Sequence, residues 1–540
     1  MTVDNFAAVT SDKIGAELYR RVKDVSRFAR RTGIHAMRRA SYLAYYGHDT
    51  EGLHTAGNVE ESGEDGELRL IKINEFRATL QHVLTYITQD RVTWAARALN
   101  AAGGTLSATK LAATILDHYA SRNALVEEVD RAIEMMLFLD TAYLSVTWDV
   151  DAGEAYGVQP PPEPDPENPD APPPDPNAPP RIIHEGDVRV RALSPLDVYA
   201  DPFRDPREAR WRIERTPTNR YDLAAKYPKM AEKILALPAP ETSRDLWMHS
   251  GTDIDHTDDV SLFTFYHAPT ASIPKGRLVL FLSDDCVLMD METPYGEIPI
   301  YRVCAHEFYG TPFGYALAYD LLAPQQALDM LYSTVVTNES AVAIQSFIAE
   351  DDINIDVASL RGGLNLIRKP RGASDPAPLQ LLRTSPQTYE SIDLMTKTFR
   401  SLSGVNNVSR GEPDAQLRSG TALAFMESRT LHFQSKGAMA RTQASEWVGG
   451  AVIRRLRQFA GTQRIVGFAG PSGAYQARTF TGKDLEGISH IVVETGSPMQ
   501  RSQAFRIEAG GALLQQPGMI KTAEQYLQLV TTGNITPLME

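Results

Sequence analysis

The chain has 540 residues, of which 43% are hydrophobic and 23% charged, and it carries a formal net charge of −14 at pH 7. This length indicates roughly two to four structural units, and the acidic balance argues against a protein that coats nucleic acid by neutralising its phosphates. Because only Cys286 and Cys304 occur and every apolar run is short, the sequence also argues against a disulfide framework, a cysteine zinc site and a transmembrane helix.

The N-terminal region is predicted to be largely helical. Residues 11–46 place apolar side chains at helical spacing, with Arg20, Arg27, Arg31 and Arg38 in a stripe, so we expect one long helix. Because the stripe lacks interleaved aromatic residues, a solvated face or ion pairs between subunits is favoured over phosphate contacts. The first residues show no secretory signal, which predicts synthesis in the cytoplasm. Further helical patterns cover residues 71–101, 107–121 and 125–138.

From residue 142 the pattern changes to one typical of strands. Residues 143–150 show this strand pattern. Residues 188–193 also have strand composition and are candidates to pair with them. Twelve of the 34 prolines lie between Gln159 and Arg181, interleaved with acidic residues, which favours extended polyproline II over a packed core. We predict a solvated insertion at a hairpin tip, with a domain boundary as the alternative. Residues 188–303 are predicted to be mostly strands and loops.

The second half of the chain alternates long helices with strand-rich or polar segments. Small residues recur every three or four positions along the last long helix, which indicates close packing against neighbouring elements. We predict helices at residues 321–343, 388–402 and 419–459, short strands within 347–383, a polar loop at 404–418, strands within 465–493 and a helix at 501–528.

The sequence contains few candidates for catalytic chemistry. Glu350, Asp351, Asp352 and Asp356 are oxygen ligands suited to Ca²⁺ or Mg²⁺, but their spacing matches no calcium loop. A solvated strand face or contacts to an adjacent subunit is therefore favoured over a metal site for this acidic cluster. The chain lacks the sequence of a phosphate-binding loop and the known nucleophile motifs, so we predict no catalytic activity and no cofactor.

Four stretches of the sequence carry a family resemblance: RASYLAYYG at residues 39–47, LDTAYLSVTWD at 139–149, LSPLDVYADP at 193–202 and RSGTAL at 418–423. In this order, they resemble segments of the portal proteins of tailed double-stranded DNA phages, especially those with short tails. The first is similar to the end of that family's first long helix, and the last to the start of its longest helix.

The resemblance implies an α+β fold, in which an elongated subunit forms a dodecameric ring with wing, stem, clip and crown regions. Residues 1–313 correspond to the wing, with the Pro-rich insertion at 159–181; residues 314–346 to the first stem helix, 347–386 to the clip, 387–403 to the second stem helix, 404–418 to the tunnel loop, 419–500 to the long wing helix and the strands after it, and 501–540 to a small helical crown.

The same resemblance implies two sets of contact residues. Polar and cationic side chains of the tunnel loop are expected to touch the phosphates of passing DNA without reading bases: Asn406, Asn407, Ser409, Arg410, Gln416 and Arg418. Charged side chains of the clip are expected to contact the packaging motor or the tail adaptors: Glu350, Asp351, Asp352, Arg361, Arg368, Lys369 and Arg371.

The function that follows from the resemblance is a non-enzymatic channel in the virion, at one capsid vertex, for packaging and ejecting double-stranded DNA. The expected partners are further copies of the chain, the large terminase, head-to-tail adaptor and tail proteins, scaffold and major capsid protein, with no membrane. Another ring-forming head or tail protein is one alternative. A metal-dependent hydrolase that uses residues 350–356 and a DNA-binding module are the others.

Overall fold

The structure, a computed structural model, describes much of the chain. The described residues are 6–46, 60–62, 68–90, 92–98, 103–122, 124–159, 181–238, 258–343, 347–348, 377–378, 384–405, 432–469 and 475–493. They form both helices and strands in substantial proportion, which confirms the α+β class. In this part of the chain, no helix combines the length and the apolar character needed to cross a membrane.

The α-helices are α1 (Ser11–Arg31), α2 (Ile34–Tyr46), α3 (Glu75–Thr88), α4 (Gly103–Arg122), α5 (Leu125–Leu139), α6 (Arg220–Lys226), α7 (Ala231–Leu235), α8 (Leu317–Ala343), α9 (Pro386–Ser403) and α10 (Ser435–Phe459). Short 3₁₀ turns lie at Phe6–Ala8, Pro228–Met230 and Gly482–Leu485.

The strands are β1 (Glu60–Ser62), β2 (Leu68–Leu70), β3 (Trp94–Ala98), β4 (Ala142–Asp149), β5 (Ala155–Gln159), β6 (Arg181–His184), β7 (Asp187–Leu193), β8 (Val198–Ala200), β9 (Trp211–Asn219), β10 (Asp259–His267), β11 (Arg277–Phe281), β12 (Val287–Met291), β13 (Ile300–Val303), β14 (Phe347–Ile348), β15 (Ala377–Pro378), β16 (Arg464–Ala469), β17 (Tyr475–Phe480) and β18 (Ile488–Val493).

The chain divides into two compact units. The first comprises Met1–Tyr42, Leu80–Tyr319 and Ser403–Glu540, and the second comprises Leu43–Thr79 and Asp320–Leu402. The first unit contains a five-stranded sheet of order β12-β11-β10-β9-β8, a three-stranded sheet of order β13-β4-β7, and the pairs β5-β6, β16-β17 and β18-β3. The second unit contains the pairs β1-β2 and β14-β15.

Helix α1 packs on one face of the five-stranded sheet. Its buried residues Ile14, Leu18 and Val22 recur every fourth position and therefore share one side of the helix. They belong to the same hydrophobic core as Phe265 and Phe281 of the sheet, both fully buried. This confirms the apolar face predicted for the first helix.

The predicted pairing of residues 143–150 with 188–193 is confirmed. Strands β4 and β7 pair antiparallel, from Tyr143 opposite Leu193 to Asp149 opposite Asp187. Strands β5 and β6 also pair antiparallel, with Gln159 opposite Arg181. The Pro-rich segment therefore connects two paired strands, as expected of a hairpin insertion, and residues 160–180 themselves lie outside the described part of the chain.

Two helix predictions in the first hundred residues are wrong at identifiable positions. The single helix expected at residues 11–46 ends at Arg31 and starts again at Ile34, because Gly33 has a positive φ of 76° that ends the helical path. The helix expected at residues 71–101 ends at Thr88, and strand β3 follows it. Strand β3 forms because it pairs antiparallel with β18, almost 400 residues later in the chain.

Candidate functional site

The predicted contact residues lie outside the part of the chain that the structure describes. This applies to the tunnel-loop residues Asn406, Asn407, Ser409, Arg410, Gln416 and Arg418. It applies equally to the clip residues Glu350, Asp351, Asp352, Arg361, Arg368, Lys369 and Arg371, to Asp356 and to the predicted C-terminal helix. Among the described residues, no group of three or more His, Cys, Asp or Glu side chains is arranged to hold a metal ion.

The structure does describe how the chain enters and leaves the predicted clip. Strand β14 follows the end of α8 and pairs antiparallel with β15, which precedes α9. The hydroxyl of Thr384, just before α9, donates to Oε1 of Glu339 near the end of α8, at 3.2 Å. The chain that leaves α8 therefore returns beside it, and the described elements follow the order helix, strand pair, helix.

Helix α8 also holds an extended segment of the second unit through two hydroxyl groups. The Ser333 hydroxyl accepts from the amide of Ile71 at 3.1 Å and donates to the carbonyl of Ile71 at 3.2 Å. Thr337 does the same for Arg69, at 3.0 and 3.3 Å. Each hydroxyl therefore satisfies both the amide and the carbonyl of one residue.

A glutamine near the start of α8 continues this contact. Gln325 is 6% exposed, and its Nε2 donates to the carbonyl of Ile73 at 2.9 Å. Its Oε1 accepts from the amide of Phe76, at the start of α3, at 3.0 Å. Helix α8 begins at Leu317, before the predicted residue 321, so Pro324 lies inside it, seven residues from its first residue.

The two ends of the undescribed segment 406–431 meet at a well-defined base. Nε2 of Gln434 donates to the carbonyl of Ser403 at 2.8 Å, and both side chains are buried. Gly404 has a φ of 69°, and a Cβ atom there would lie 2.5 Å from the ring of Phe433. Gln434 is a turn residue, so the predicted single helix of residues 419–459 is interrupted there, before α10 begins at Ser435.

Among the described residues of the first unit, Asp140, between α5 and β4, is a carboxylate with many hydrogen-bond donors. Arg38 of α2 donates to its two oxygens from Nε and Nη2 at 2.8 and 2.9 Å. The hydroxyls of Thr141 and Tyr319 donate to it at 2.5 and 2.8 Å, and the amide of Gly314 at 3.4 Å. Asp140 is 1% exposed and adopts a positive φ of 69°. This centre joins α2, β4 and the first turn of α8.

The protonation of the groups around Asp140 follows from burial and its negative charge. Burial opposes the charge of Arg38, but the attraction and hydrogen bonds of Asp140 outweigh it, so the pKa of Arg38 is raised. Burial and Asp140 together raise the pKa of the Tyr319 hydroxyl. Burial raises the pKa of the nearby Cys304 thiol to about 11, which keeps it protonated and a weak nucleophile at neutral pH.

Three further buried arginines connect distant parts of the first unit. Each forms an ion pair with a carboxylate more than 100 residues away in sequence: Arg441 with Asp130 at 2.7 Å, Arg455 with Glu297 at 3.1 Å, and Arg464 with Asp187 at 3.3 Å. Two lie in α10 and one at the start of β16. Buried pairs of this kind are costly to break and thereby fix the arrangement of the elements they join.

The arginine stripe predicted along the first helix is largely neutralised within the chain. Arg20 pairs with Glu17 at 2.9 Å and Arg27 with Asp24 at 3.2 Å, both on the surface of α1. Arg38, the fourth member of the stripe, is 5% exposed and bonded as described above. Nothing in the residue pattern distinguishes Arg38 from the other members, since it shares their spacing.

No family model matches this chain, and no curated protein matches it.

Proposed function

We propose that this chain is the portal subunit of a tailed double-stranded DNA phage. Twelve copies would form a ring at one capsid vertex, through which the genome enters and leaves. The observation that carries the proposal is the order of α8, the β14-β15 pair and α9, followed by a segment that leaves and returns at the Ser403–Gln434 contact.

This order has a direct physical meaning in a ring. Two helices joined by a segment whose ends pair as strands form a protrusion, here called a finger. Such fingers, arranged side by side around an axis, form a tube. Residues 404–418 would then form the loop that faces the passing DNA. The net charge of −14 for the whole chain supports this, because an acidic subunit does not bind DNA tightly by neutralising its phosphates, while a few local cations can still touch them.

The proposal assigns a role and a partner to each region. The clip, residues 347–386, would receive the large terminase during packaging and the head-to-tail adaptors afterwards. ATP hydrolysis would belong to the terminase, so the chain itself would not be an enzyme. Scaffold and major capsid protein would surround the ring in the virion, and the chain would be made in the host cytoplasm.

Electron microscopy of the full-length chain tests the ring. We expect particles with a central channel and about twelvefold symmetry, alone or after addition of the scaffold protein. A chain that stays monomeric at high concentration with scaffold present contradicts the proposal.

A shortened clip tests the assignment of the finger. The β14-β15 pair brings residues 348 and 377 opposite each other, so replacing residues 349–376 with a short Gly-Ser turn leaves the pair closed. In side view, we expect the same ring with one end shortened and no binding of terminase. Rings of unchanged length would show that this segment does not protrude, and would favour a different ring-forming head or tail protein.

A further inference from the structure

A cavity of about 830 Å³ lies within the first unit, between α1, the five-stranded sheet and the loop before α8. Its volume is within the range of about 300–1,000 Å³ typical of small-molecule sites. One part of its wall is apolar and includes Val22, Val198, Val260 and Phe263. Another part carries cationic side chains, among them Arg30, Arg212 and Arg302, and the carboxylates of Asp201, Asp284 and Asp285 also line the cavity.

In two of these arginines, some nitrogen atoms of the guanidinium group lack a hydrogen-bond partner among the described residues. Arg212 bonds to the backbone carbonyls of Pro206, at 3.1 Å, and Ile300, and it forms no ion pair with a described carboxylate. The side chain of Arg302 is 7% exposed; its Nη1 donates to both oxygens of Glu307 at 2.9 Å. Nε and Nη2 of Arg302 and Nε of Arg212 are buried and have no hydrogen-bond partner among the described residues. Buried donors of this kind cost free energy until an acceptor satisfies them.

The surroundings add further positive charge at this wall. Arg30 lines the cavity and forms no ion pair with any described residue. Burial lowers the pKa of His35, another lining residue, and the charges of Arg30, Arg38 and Arg39 lower it further. Burial also lowers the pKa of Arg212, and the charge of Arg302 acts in the same direction.

We propose that this cavity binds a small molecule that carries a phosphate or a similar oxyanion, which Arg212 and Arg302 hold while its apolar part contacts Val198 and Val260. The planar guanidinium group presents donors in a geometry that matches such oxygens. The inference is independent of the portal function.

Titration calorimetry of the full-length chain with sodium pyrophosphate tests this site. We expect saturable binding to the wild type, one ligand per chain, and at least about tenfold weaker binding to Arg212→Gln and Arg302→Gln. The matched control is Arg457→Gln, an exposed arginine of α10 that does not line the cavity; it should bind like the wild type. Pyrophosphate should raise the unfolding temperature of the wild type and of the control only.

Three results would overturn the proposal. The first is the absence of saturable binding to the wild type. The second is equal affinity of the wild type and a folded Arg212→Gln variant, which leaves the Arg302–Glu307 pair intact. The third is binding of a DNA duplex, but not of pyrophosphate, that depends on Arg212 and Arg302.

Discussion

Arg38 bonds both oxygens of Asp140 through Nε and Nη2, and neither side chain is more than 6% exposed. The pair lies where α2, β4 and the start of α8 meet, and the Tyr319 hydroxyl donates to the same carboxylate. Removing one partner of this buried carboxylate destabilises the folded state, because the hydrogen bonds together compensate for the water that the charged groups lose on burial.

We expect Asp140→Asn to destabilise the first unit by about 3–5 kcal/mol, because it leaves the charge of Arg38 buried without a counter-ion. The asparagine side chain has nearly the same shape, so the loss of charge is the main change. Urea unfolding measures the difference. The control is Asp24→Asn, which removes the exposed Arg27–Asp24 pair and should cost less than about 1 kcal/mol. If both variants lost similar free energies of unfolding, the buried Arg38–Asp140 pair would contribute no more to stability than the exposed pair.

Gly404→Ala is expected to destabilise the base of segment 406–431. An alanine at φ 69° is strained by about 1–2 kcal/mol, and its Cβ would also displace the ring of Phe433. Gly33→Ala is the matched control, because Gly33 has a φ of 76° but no atom within 4 Å of the added Cβ. Urea unfolding should therefore show a larger loss for Gly404→Ala, and equal losses would rule out a role for the Phe433 contact.

Ser333→Ala is expected to release the extended segment from α8 in the second unit. It leaves the amide and the carbonyl of Ile71 without their shared partner, at a cost of about 1–3 kcal/mol. Hydrogen exchange at the Ile71 amide should become faster. Thr334→Val is the control, since that exposed hydroxyl bonds only to the carbonyl of Met330 in its own helix. Unchanged exchange in Ser333→Ala would show that the hydroxyl does not hold the segment.

The elements that were predicted correctly from the sequence are determined by residues that lie close together in the chain. Helices α5 and α8 show the helical period within a single segment, and β4 and β7 have a strand pattern and lie close together in the chain. By contrast, β3 depends on its partner β18, which no local pattern reveals. Its composition alone therefore predicted a continued helix.

The burial of Arg38 was unpredictable for a related reason. Its spacing places it on the same face as Arg20 and Arg27 only if the helix is continuous. The break at Gly33 separates α1 from α2, so Arg38 no longer shares the exposed face of α1 and reaches Asp140 instead. The predicted DNA and terminase contacts belong to residues 350–371 and 406–418, which lie outside the described residues, so those assignments remain predictions.

His35 is expected to make the stability of the first unit depend on pH. Burial, then Arg30, Arg38 and Arg39, lower the pKa of His35 below its ordinary value of 6.5 in the folded state. The unfolded chain therefore binds the proton more tightly, and the free energy of unfolding decreases as the pH falls below about 6.5. His35→Gln should lessen this decrease between about pH 7 and pH 5 in urea titrations. The exposed His490→Gln serves as the control, and identical slopes for both variants would contradict the expectation.

Deleting residues 406–416 should spare the ring but impair packaging or retention of DNA. The Gln434–Ser403 hydrogen bond brings the ends of the segment together, so the remaining residues 417–431 are long enough to close the shorter loop. Electron microscopy checks assembly, and the mass of DNA per capsid checks packaging. The control replaces Gln434 with Ala in the full-length loop, which loosens the base but keeps the loop residues. Normal genome packaging by the deletion variant would refute the assignment of this loop to the channel.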